Sequence, residues 1–131
     1  METILLVEDD SAVRETIATM LHSLGYIVLA PEPGAPALRA IKAGGYDAVV
    51  TDFVMPEANG NAIVEAVRAV HDNCPVVAIS GGSPEIAATN ALRQTRTRGA
   101  NATLSKPFTR DALARAIRSA LAESPLLSTD R

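Results

Sequence analysis

The 131-residue chain has a single cysteine, Cys74. One thiol cannot close an internal disulfide, so no covalent framework supports this fold, and the expected compartment is the reducing cytoplasm. Cys74 has no Cys or His partner close in sequence, and it reads as a small hydrophobe at the entry to a strand. No apolar run approaches the roughly 20 residues that a membrane-spanning helix needs. Met1-Glu2-Thr3 leads straight into a strand-like run, without the basic stretch that opens a signal peptide. Basic residues are in deficit, 12 against 15 acidic ones for a net charge of −3, which argues against a nucleic-acid surface. Neither G-x-x-x-x-G-K-[ST] nor G-x-G-x-x-G occurs, and Gly81-Gly82 alone is too little for a phosphate cradle. His22 and His71 lack metal-ligand spacing and fall on helix surfaces.

Apolar residues, by contrast, make up 47% of the chain, enough to fill the core of one domain. They arrive in two alternating patterns. Short β-branched runs predict strands over Thr3–Glu8, Tyr26–Ala30, Asp47–Asp52, Val76–Ser80 and Asn101–Ser105. Between and after them, helical spacing predicts helices over Ser11–Leu24, Pro36–Ala43, Asn61–His71, Pro84–Arg98 and Thr109–Glu123. Asp10 or Ser11 can cap the first helix, and Gly25 suits a left-handed C-terminal cap. Its apolar stripe is Val13, Ile17, Met20, Leu21 and Leu24. The inward residues expected of the next two helices are Leu38 and Ile41, then Ile63, Ala66, Val67 and Val70. The helix over Pro84–Arg98 has only Ile86 and Leu92 as large apolar residues, so its packing is expected to be loose. The last helix should bury Leu113, Ala116, Ile117, Ala120 and Leu121.

Five strands alternating with five helices predict an α/β fold, a flavodoxin-like doubly wound parallel sheet of order 2-1-3-4-5. One domain is expected over residues 1–122, followed by a flexible tail over 123–131.

In such a sheet the carboxyl ends of the strands share one edge, and ligands bind there. That edge would hold Glu8-Asp9-Asp10, Asp52, Ser80 and Lys106, because each follows or closes an apolar run. Carboxylates packed together repel, which raises a pKa or calls for a cation. Mg²⁺ (or Mn²⁺) suits hard oxygen ligands. Asp9 and Asp52 are the expected direct ligands, with a backbone carbonyl just after Asp52, and Glu8 acts through a metal-bound water. Asp10 is better placed to cap the first helix. Asp52 lies in the middle of the set, where a carboxylate nucleophile can attack phosphorus to form an acyl phosphate. Lys106 would pair with one phosphoryl oxygen and Ser80 would donate a hydrogen bond to another.

The run Ile4-Leu5-Leu6-Val7-Glu8-Asp9-Asp10, then Asp52-Phe53-Val54-Met55-Pro56 with Gly60, then Ser80, then Lys106-Pro107-Phe108, resembles the receiver domain of two-component response regulators. The resemblance covers nearly the whole chain. It implies Asp52 as phosphoacceptor, Glu8 and Asp9 as the acidic pair, Ser80 as the switch hydroxyl and Lys106 as the phosphate-pairing lysine. It adds Val54 as the source of the metal-binding carbonyl and a cis Lys106–Pro107 bond. The implied donor is the phosphohistidine of a sensor histidine kinase or histidine phosphotransfer protein. The module would catalyse only its own phosphoryl transfer and autodephosphorylation.

Two departures from the family pattern stand out. The family often has an aromatic three residues before its lysine, and here that residue is Thr103. The stretch from Ser80 to Lys106 is also a few residues longer. Output is therefore expected through the Gly81–Pro84 turn and the helix after it. With no further domain after the last helix, the resemblance implies a stand-alone module, or else the receiver portion of a hybrid kinase, with a downstream protein partner, no DNA-binding domain and no membrane segment. Two other readings compete. A haloacid-dehalogenase-like phosphatase would place its nucleophile after the first strand, with a second Asp two residues on. A pseudo-receiver used only for docking would have lost the acceptor or the lysine.

Overall fold

The computed structural model describes residues 2–52, 60–80 and 100–122. Five parallel strands form one sheet: β1 (Thr3–Val7), β2 (Ile27–Leu29), β3 (Ala48–Asp52), β4 (Val76–Ser80) and β5 (Ala102–Ser105). Their order across the sheet is β2-β1-β3-β4-β5, as the sequence pattern predicts. The helices among the described residues are α1 (Ser11–Ser23), α2 (Ala35–Ala43), α3 (Gly60–Val70) and α4 (Arg110–Ala122). The helix expected over Pro84–Arg98, the Gly81–Pro84 turn and the expected tail lie outside the described residues.

Strand periodicity sorts the core into two layers. Ile4 and Leu6 of β1 face one side with Val50, Val77 and Ile79, where Ile17 and Leu21 of α1 and Leu113 and Ile117 of α4 meet them. Leu5 and Val7 face the other side with Val49 and Val76, against Ile41 of α2 and Ile63, Val64 and Val67 of α3. A strand covered on both faces is apolar along most of its length, as β1 is over residues 4–7 and β3 over residues 48–50, before the buried Thr51 and Asp52 close β3.

The helix ends follow their local chemistry. Asp10 caps α1, its Oδ1 accepting from the backbone N–H of Ala12 and Val13 at 3.0 and 3.1 Å. Gly25 adopts φ +97° just past the helix, a conformation that a side chain resists. In α2 the inward pair is Ala37 and Ile41, while Leu38, expected inside, is 38% exposed. Residues four apart share a face more closely than residues three apart, so choosing Ala37 turns Leu38 outward. Val70 is likewise exposed at the end of α3, and Val64 takes its place in the core.

Cys74 is fully buried, and that burial pushes its thiol up to about 11. Both facts keep it from forming the reactive thiolate. The folded protein should therefore resist iodoacetamide at pH 8 and take up one equivalent only after denaturation in guanidinium. Rapid stoichiometric labelling of the native state would contradict this.

Candidate functional site at the carboxyl edge of the sheet

The register of the sheet builds the site. β1 pairs with β3 so that Val7 lies opposite Thr51, which sets the next residues, Glu8 and Asp52, side by side. β4 pairs with β5 so that Ser80 lies opposite Ser105, and Lys106 is the next residue. The strand ends therefore deliver these residues to one edge in the order that the topology dictates. Lys106 starts two strands away from Asp52, about 9–10 Å at ordinary strand spacing. Its four-carbon stem covers that gap. The Nζ donates to Asp52 Oδ2 at 3.1 Å and to Glu8 Oε1 at 3.2 Å.

Glu8 is 1% exposed and Asp52 6%, whereas Asp9 is partly exposed. One carboxylate oxygen from each of the three lies within 4.8 Å of the others. Glu8 is held twice: Oε1 faces Lys106, and Oε2 accepts the backbone N–H of Asp10 at 3.1 Å. Burial still dominates and pushes the Glu8 carboxyl up to about 7. The Asp10 N–H opposes this, the Asp52 charge adds to it, and Lys106 offsets it in part. For Lys106, burial alone would lower the ammonium, but the Asp52 and Glu8 carboxylates outweigh it and raise the pKa. Three hard-oxygen donors, two of them dry and one open to water, fit a small divalent cation that retains part of its hydration.

Glu8, Asp9, Asp52 and Lys106 thus meet as the sequence suggested. Asp10 turns to its helix and stays out of the cluster. The backbone of Ser80 ends β4 beside this edge, but its hydroxyl and all of Val54 lie outside the described residues. The Lys106–Pro107 peptide bond is cis, as expected. Thr103 lies in β5 opposite Ala78 and is partly buried. An apolar groove of about 540 Å³ adjoins the pocket, lined by α1 residues including Val13 and Met20 and by Lys106, Pro107 and Phe108. One contact was not legible in the sequence. Arg14 of α1 donates from Nη1 to the Glu8 carbonyl at 3.0 Å and pairs through Nη2 with Glu32 Oε2 at 3.3 Å.

A carboxyl whose pKa rises on folding holds its proton longer in the folded than in the unfolded chain. Its contribution to stability is full below about 4.5 and falls as pH rises towards about 7. In the metal-free protein, the Glu8 side-chain carboxyl should titrate near pH 7 by carbon-detected NMR. The Glu8→Gln variant should lose the corresponding slope of stability against pH. A Glu8 midpoint near 4.5 would refute the burial argument.

Comparison with known proteins agrees with this geometry. The family model of the response regulator receiver domain matches residues 4–118. The cell cycle transcriptional regulator CtrA of Caulobacter vibrioides is 33% identical over 108 residues, 82% of this chain and 45% of that protein. The DNA-binding transcriptional regulator NtrC of Rhizobium meliloti is 35% identical over 121 residues, 92% of this chain and 24% of that protein. Among solved structures, the receiver domain of a sensor histidine kinase from Pseudomonas aeruginosa PAO1 superposes with a TM-score of 0.79 at 31% identity. The match covers 93% of this chain and 98% of that one, which carries a magnesium ion coordinated in its active-site cleft. The expectation of a stand-alone module without a DNA-binding domain is corrected by these relatives. This chain spans less than half the length of these two transcriptional regulators, the second of them DNA-binding, so a receiver of this kind is at home inside a longer protein. The match over nearly its full length, and the sheet-edge cluster beneath it, make the chain a member of the response regulator receiver domain family.

Proposed function

We propose that the pocket is a phosphoacceptor site that takes a phosphoryl group onto Asp52 with Mg²⁺. The observation that carries this reading is the convergence of Glu8, Asp9 and Asp52 within 4.8 Å, with the Lys106 amine between two of them. The donor is a phosphohistidine. An Asp52 carboxylate oxygen attacks phosphorus, the N–P bond breaks, and the imidazole leaves with the electron pair while an acyl phosphate forms. Asp9 and Asp52 would hold a divalent ion directly, Glu8 would act through water and the Val54 backbone would add a carbonyl, and the bound ion would supply charge neutralisation for the incoming anion.

Lys106 is the positioning cation. Before transfer its amine holds the Asp52 side chain in place through the 3.1 Å hydrogen bond; afterwards it pairs with a phosphoryl oxygen and releases its hold on the carboxylate. The Ser80 hydroxyl donates to another phosphoryl oxygen. Hydrolysis of the acyl phosphate by water returns Asp52 and inorganic phosphate, which resets the module. The phosphatase reading gains no support, since the acceptor-like aspartate closes β3 and not the first strand. The docking-only reading requires a lost acceptor or lysine, and both are present and in contact.

Incubation with acetyl phosphate and Mg²⁺ should add one phosphoryl group to the intact mass, and chelation should prevent it. Asp52→Asn should abolish the gain, so a variant that still takes one phosphoryl group would overturn the assignment. Asp9→Ala should weaken Mg²⁺ binding about tenfold or more, as loss of a direct ligand implies, while Asp10→Ala costs mainly an α1 cap, about 1 kcal/mol of stability. Equal effects on Mg²⁺ binding would mean that the acidic pair is misassigned.

A further inference from the structure

Arg14 makes a contact that the phosphoacceptor chemistry leaves unused. The register pairs of β1 end at Val7, so the Glu8 carbonyl lies one residue past the last of them. Arg14 reaches back six residues from the first turns of α1 and donates to that carbonyl at 3.0 Å. The peptide group it holds is the one that joins Glu8 to Asp9. The orientation of that peptide fixes where the two acidic side chains leave the backbone. Nη2 of the same guanidinium meets Glu32 Oε2 at 3.3 Å, which ties the segment between β2 and α2 to the same point. The Arg14 side chain is 14% exposed, whereas that of Glu32 is 75% exposed. The bond to the carbonyl therefore carries the restraint, and the ion pair, largely in water, adds little to it.

We propose that Arg14 is a positioning residue for the metal pocket: by holding the Glu8–Asp9 peptide it fixes the spacing of the acidic pair and thereby sets the affinity for a divalent cation. This rests on the reading of the pocket as a Mg²⁺ site. The geometry makes a prediction of opposite sign to simple electrostatics. A guanidinium close to the pocket repels Mg²⁺, so if charge were its whole effect, removing it would tighten binding. If it acts by holding the peptide, removing it lets the Glu8–Asp9 unit turn and weakens binding. Groups that orient metal ligands are typically worth 10–100-fold in affinity.

The test is titration of MgCl₂ into the full chain by calorimetry, with a thermal melt of each variant. Arg14→Met keeps the aliphatic stem and its packing while removing every donor. Arg14→Lys keeps the charge and one donor group but cannot reach both acceptors at once. Arg39→Ala, on the exposed face of α2, controls for the loss of one positive charge. Arg14→Met should bind Mg²⁺ about tenfold more weakly than the wild type. Arg14→Lys should fall between the two, and Arg39→Ala should match the wild type. Should Arg14→Met not fold, Arg14→Lys decides by itself, and binding at least twofold weaker than wild type sustains the proposal. Binding by the folded Arg14 variants that is equal to or tighter than wild type overturns it, even if their melting temperatures drop. Failure of the wild type to bind Mg²⁺ at all would instead remove the underlying reading of the pocket.

Discussion

The site depends on one amine that spans two buried carboxylates. Lys106 Nζ lies 3.1 Å from Asp52 and 3.2 Å from Glu8, and both acids are nearly sealed from solvent. Burying ionised carboxylates costs several kcal/mol each unless a counter-charge and hydrogen bonds meet them. Here the ammonium meets both, and the Asp10 N–H takes the remaining Glu8 oxygen. The compensation is incomplete, since the Glu8 carboxyl is still driven up to about 7. A pocket left short of positive charge is one that a divalent cation, or a phosphoryl transfer in its presence, can use.

That interaction constrains the fold around it. The lysine stem spans two strand spacings only if β5, β4 and β3 keep their register and end at the same edge. β3 must in turn lie beside β1 to put Asp52 next to Glu8. The two core layers enforce this. A shift of one residue in β1 would exchange Ile4 and Leu6 for Leu5 and Val7 across the sheet and turn Glu8 away from the pocket. Stability and site geometry are thus set by the same apolar pattern.

Most of this was legible in the sequence because it rests on period and order. Runs covered on both faces announce β1 and β3, and the acids and lysine at the run ends are placed by topology alone. Where the reading failed, the deciding facts were three-dimensional. The choice of Ala37 over Leu38 as the inward residue of α2 depends on where Ile41 sits, and Val70 projects past the core at the end of α3. The Arg14 contact has no sequence signature, because a guanidinium returning to a carbonyl six residues earlier obeys neither helical nor strand spacing. The expectation of a stand-alone module drew on where the chain stops, which carries no physical information about the longer regulators it resembles.

The central claim is that the buried acids under Lys106 form a divalent-cation pocket centred on Asp52. Anomalous diffraction from crystals soaked in Mn²⁺ tests it most directly, since manganese is visible where magnesium is not and takes the same oxygen ligands. The account predicts one strong peak coordinated by Asp9 and Asp52, with Glu8 beyond it. An empty pocket at saturating Mn²⁺, or a peak held by other acidic residues while these three remain free of metal, would contradict it.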